Sequence, residues 1–166
     1  KNIVDQMTMS GSPIASLSFL KPDDAGFDTA PHIHKVFHPE GGGFSLPVPD
    51  SALFTGTDAA PKPGWYMGRF NNIEWTPTAA NDILFVAYDI SAAACAAINK
   101  KITGTTTIPV VTGSTTEQFF VNVFYGGGAD ANFMEANCAT CKGYPSLCVA
   151  STGNTTYTYY NIISGQ

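Results

Sequence analysis

All three histidines of the chain fall in one short stretch, His32-Ile-His34-Lys-Val-Phe-His38-Pro-Glu40. Imidazole nitrogens with a carboxylate are the ligand set that zinc, copper and nickel take. On an extended strand His32, His34 and His38 would point to one side and could aim three rings at one ion, with Glu40 adding an oxygen. Pro31 and Pro39 work against such a strand. The competing expectation is a loop whose histidines are exposed or hydrogen-bonded to backbone, and it is the favoured one.

The four cysteines are Cys95, Cys138, Cys141 and Cys148. Zinc would want all four thiolates gathered around one ion. A redox pair would want Cys138-Ala-Thr-Cys141 at the start of a helix that follows a strand. That motif follows Asn137 in a segment containing glycine and proline, so structural disulfides are the better expectation. Four cysteines allow three pairings, and the sequence leaves the pairing unassigned. The preferred arrangement has Cys95 bridging to one cysteine of the later cluster while the other two close locally.

Other chemistry is sparse. The chain has no GxSxG, no phosphate-binding loop, no HExxH and no dinucleotide fingerprint. Gly41-Gly-Gly43 and Gly126-Gly-Gly128 read as flexible turns. Asp23-Asp24 beside Pro22 reads as a solvated turn. Asn154-Thr-Thr156 matches a glycosylation sequon. Trp65, Tyr66, Phe70 and Trp75 could form a sugar platform, but filling a core is the better use of such large rings. The stretch from Gly26 resembles the first cupin motif, although Glu40 stands one residue too far along. The second motif has no counterpart, because no histidine follows His38.

The elements that must hold these residues are short. Ile3, Val4 and Met7 form a helical stripe, broken by Ser10-Gly-Ser-Pro13. Residues 21–64 carry seven of the 11 prolines and read as irregular. Trp65–Met67 and Asn72–Trp75 are short strand candidates. Asp82–Tyr88 reads as a central strand buried on both faces. Residues 91–101 predict a helix capped by Ser91 and closed by Gly104, with Ala94, Cys95, Ile98 and Ile102 on one face. Gln118–Tyr125 predicts a strand with Phe119, Val121, Val123 and Tyr125 on one side. Residues 130–150 read as a cysteine-bearing loop, and 154–163 as a closing strand. The fold class is α+β with an antiparallel sheet, in one domain over residues 1–166.

Composition adds a setting. The 166 residues hold 8 basic and 13 acidic side chains, and only 13% are charged. That balance excludes disorder and argues against nucleic acid as a partner. Low charge, abundant threonine and glycine, and an even cysteine count suit a protein outside the cytoplasm. The start at Lys1 rather than a methionine predicts that an upstream segment has been removed.

Three segments together resemble the soluble part of a bacterial type IV pilin-like protein, a minor pilin or pseudopilin. They are Ala25–Asp28 with Lys35–Gly43, Asn81–Tyr88 leading into Ser91–Asn99, and Leu147–Val149 followed by Tyr157–Ile163. The resemblance implies that residues 1–9 end a long N-terminal helix packed on the sheet. It implies a disulfide-stapled C-terminal loop, no cofactor and no catalysis. The implied role is a structural subunit of a pilus or type II secretion-like filament. Its partners would be other subunits, met through the missing hydrophobic helix, with the inner membrane as its site before assembly. The soluble domain alone would be a monomer. The alternative is a secreted metal- or ligand-binding domain built on His32, His34, His38 and Glu40.

Overall fold

A computed structural model describes residues 2–57, 61–121 and 131–165. The chain divides into two compact units, Lys1–Pro47 and Val48–Gln166. The larger unit is α+β, with a four-stranded antiparallel sheet, a few short helices and two disulfides.

Helix α1 spans Asn2–Met9 and buries Val4 and Met7, the apolar stripe expected from their spacing. The rest of this unit is turns. One 3-10 turn covers Ile14–Ser16, and a parallel bridge joins Ser18 to Lys35. The proline-rich stretch forms no regular element until residue 64 among the described residues, because proline removes donors and fixes φ. Asp24 accepts a bond from the Lys21 amide at 2.6 Å, so Asp23-Asp24 does form a turn.

In the larger unit β1 (Gly64–Arg69), β2 (Ile83–Tyr88), β3 (Ser146–Ala150) and β4 (Tyr157–Ser164) lie in the order β1-β2-β4-β3. All neighbours are antiparallel. Strand β2 is interior and buried on both faces, as its apolar run predicts. Leu84, Val86 and Tyr88 enter one core with Tyr66, Phe70, Phe119, Phe120, Phe133, Leu147, Val149 and Tyr160. The alternate positions face a second, smaller core of Phe54, Ala87, Ile90, Cys95 and Cys148. Trp65 stacks on Phe85 at 5.1 Å beside this smaller core. The rings clustered in sequence are therefore divided between two cores and make no shared sugar platform.

Helix α2 spans Ala92–Thr103. Ser91 caps it by accepting a bond from the Ala94 amide, and Gly104 ends it at φ 82°. Its buried face carries Cys95 and also Asn99, a polar residue the apolar pattern passed over.

Three strand and loop expectations are corrected. Residues 118–120, expected to open a strand, instead end a helix, α3 (Thr116–Phe120). The reason is local: Thr115 and Gln118 make a reciprocal capping box, which opens a helix despite the β preference of the following residues. Phe119 and Phe120 consequently enter the same core, whereas alternation would send them to opposite faces of a strand. Val123, Tyr125 and Gly126–Gly128 lie outside the described residues. Asn72–Trp75 is a turn in which only Ile73 pairs, in a bridge to Phe133. The buried Asp82 carboxylate organises it, accepting from the Ile73 amide at 2.8 Å and the Thr76 hydroxyl at 3.1 Å. Finally, the cysteine-bearing segment holds 3-10 turns at Glu135–Asn137 and Ala139–Cys141, and its end is strand β3.

Tyr160 is fully buried and donates to the Tyr144 carbonyl at 3.2 Å. Burial pushes its phenol well above the ordinary value of 10.0. The unfolded chain releases this proton near the ordinary value while the folded chain keeps it. Stability contributed by the neutral phenol is therefore complete below about pH 10 and falls by about 1.4 kcal/mol per pH unit above it. Urea melts across that window measure the slope, and Tyr160→Phe is expected to make it shallower. An equal slope in both proteins would remove Tyr160 as its source.

Candidate functional site

The histidine segment folds as successive turns rather than a strand. The Lys35 amide bonds the His32 carbonyl at 2.9 Å, and the Gly41 and Gly43 amides both bond the His38 carbonyl at 2.9 Å. These turns sort the histidines differently from alternation. His34 Nδ1 lies 2.9 Å from the Ser12 hydroxyl, away from the others. His32 and His38 come together, with ring centroids 3.9 Å apart and the planes tilted by 39°.

Glu40 completes the group. His32 Nδ1 is 2.9 Å from Glu40 Oε2, and the Glu40 amide donates to His38 Nδ1 at 3.1 Å. One ligand atom each from His32, His38 and Glu40 lies within 4.8 Å of the other two. Asp28 stands beside them, its Oδ1 4.0 Å from His38 Nε2. The Glu40 side chain is 75% exposed and that of His32 19%, so the group is open on one side and walled on the other. His32 Nε2 is buried and has no hydrogen-bond partner.

Two features hold this arrangement. Lys35 is buried and its ammonium donates to the carbonyls of Gly26, Phe27 and Thr29. All three of its donors are thereby used, and the loop carrying Asp28 is tied to the turn carrying His38. The glycine run is the second feature, and it serves close packing rather than flexibility. A Cβ on Gly41 would stand 2.2 Å from the Lys35 carbonyl oxygen, and one on Gly42 2.4 Å from that of Val36. Only glycine lets the backbone approach this closely.

The cysteines are all bridged, as Cys95–Cys148 and Cys138–Cys141. The first bridge ties α2 to β3 within the smaller core, and the second sits against the larger one. Two disulfides place the chain in an oxidising, extracytoplasmic environment. No helix among the described residues is long and apolar enough to cross a membrane.

Asn99 and Lys35 are the important residues that composition and motif reading passed over. Asn99 had one available signal: it stands four residues after Cys95 on the same helical face. Lys35 and Asp28 had none, since their roles depend on how the turns close. A comparison with known protein families, curated proteins and solved structures finds no match to this chain.

Proposed function

We infer that this chain is the globular domain of a non-enzymatic, type IV pilin-like filament subunit, working outside the cytoplasm in a pilus or type II secretion-like assembly. The observation that carries the reading is how α2 is fastened to the sheet. The Cys95–Cys148 bridge and the Asn99 side chain both grip Cys148, so helix and strand are joined covalently and by paired hydrogen bonds. Such double fastening suits a part that bears load and is exposed outside the cell.

The use of buried polar groups supports the same reading. Asn71 and Asn99 bond backbone groups of distant segments and Asp82 one of the preceding turn, so they build structure. The four-stranded sheet with its sulfur-tied C-terminal half agrees with the segments that resemble pilins. Partners would be neighbouring subunits, and the inner membrane would hold the protein before assembly.

Filaments sheared from the native host and pelleted are expected to contain this chain, detected by mass spectrometry. Its signal in that pellet should vanish when the peptidase that processes prepilins is deleted. Recovery of the chain solely as dispersed protein, unaffected by that deletion, would overturn the reading.

A further inference from the structure

We propose that His32, His38 and Glu40 form a binding site for a divalent transition-metal ion of the zinc type, with Asp28 at its open edge. The site is separate from the filament role and does not depend on it.

The donor set is the first reason. Two imidazole nitrogens and a carboxylate suit zinc and its neighbours, whereas calcium and magnesium prefer oxygen throughout. Geometry is the second. Around tetrahedral zinc, ligand atoms stand roughly 3.3 Å apart, as bond lengths of about 2.0–2.1 Å require. The His32–Glu40 pair already stands at 2.9 Å, and the whole triad falls within 4.8 Å. Side-chain rotations in an open group can close the difference. Asp28 or water can take the fourth position.

Binding has a cost that the site can meet. The ion would take the place of the hydrogen bond between His32 Nδ1 and the Glu40 carboxylate, coordinating both atoms. His38 gives up a bond as well, since binding at either of its nitrogens releases the 3.1 Å bond from the Glu40 amide.

Finally, the scaffold under the site is built. Lys35 and the close approach of Gly41 and Gly42 hold the turns of His32, His38 and Glu40 together. His34 takes no part, because its ring is engaged by Ser12. This exclusion separates the proposal from a generic affinity of a histidine-rich segment for metals.

The test titrates zinc chloride into chelator-stripped, disulfide-intact protein by calorimetry, without reductant so that no thiol competes. One equivalent is expected to bind. His38→Ala and Glu40→Gln are expected to weaken binding at least about tenfold, a loss of about 1.4 kcal/mol, and His34→Ala to leave it unchanged. Cobalt(II) supplies a readout independent of affinity: its visible ligand-field bands should appear in the wild type and in His34→Ala and be lost in His38→Ala. Circular dichroism confirms that each variant is folded, and Glu40→Gln keeps the test decisive should His38→Ala unfold. No zinc uptake overturns the proposal. So does uptake that His34→Ala diminishes as much as His38→Ala does.

Discussion

Replacing Cys95 and Cys148 together by alanine is expected to lower stability by about 4 kcal/mol in urea denaturation, the value chain entropy gives for a loop of this length. The bridge closes a separation of 53 residues, so its loss frees a long loop in the unfolded chain. Cys138–Cys141 spans a separation of only 3. The same relation gives about 2 kcal/mol for it, so the Cys138→Ala, Cys141→Ala pair should be the milder change. Equal midpoints for the two double variants would contradict the ranking. A loss of this size is a large share of the stability of an ordinary domain.

Asn99→Leu is expected to cost about 3 kcal/mol, although the two side chains are similar in volume. Strand β3 is at the edge of the sheet and pairs with β4 on one side only. Asn99 serves as a partner on the other side. Its Nδ2 donates to the Cys148 carbonyl at 2.7 Å and the Thr107 carbonyl at 2.9 Å, and its Oδ1 accepts from the Cys148 amide at 2.9 Å. Leucine would leave both Cys148 backbone groups unpaired in a buried place. The strand is covered further along as well, where the Val111 amide bonds the Ala150 carbonyl and the Ala150 amide bonds Pro109. An edge covered in this way is protected against pairing with other chains. Amide exchange at Cys148 should accelerate in the variant. A change below about 1 kcal/mol with exchange unaltered would show that the clamp is dispensable. Because bridge and clamp meet at Cys148, the combined variant should lose less than the sum of the two.

The parts of the fold that could be read in advance are those where one local signal dominates. Asp82–Tyr88 announces β2 because a short apolar run between polar residues fits an interior strand. Ser91 and Gly104 bracket α2 because both ends carry the residue that backbone geometry wants. Residues 116–120 went the other way: β-favouring phenylalanines stood beside a capping pair, and the cap decided the outcome. The histidine cluster was legible only as a set of residue types. Alternation would have joined His34 to His32 and His38, but the turns enforced by Pro31, Pro39 and the close-packed Gly41 and Gly42 removed it. Those turns also brought in Asp28. Such closures depend on contacts between residues about ten apart, which no periodicity encodes. Asn99 was hidden because a polar side chain on an apolar face is informative only once its partner, the outer edge of β3, is known.

The strand order also governs when this molecule can be completed during synthesis. Strand β4, the last of the four strands to leave the ribosome, is inserted between β2 and β3, which are both made before it. Until residues 157–164 emerge, β2 has a partner on one side only and β3 has none from the sheet. The nascent polypeptide therefore travels with open strand edges until β4 emerges, and export factors that keep it extended until that strand arrives would match this architecture well.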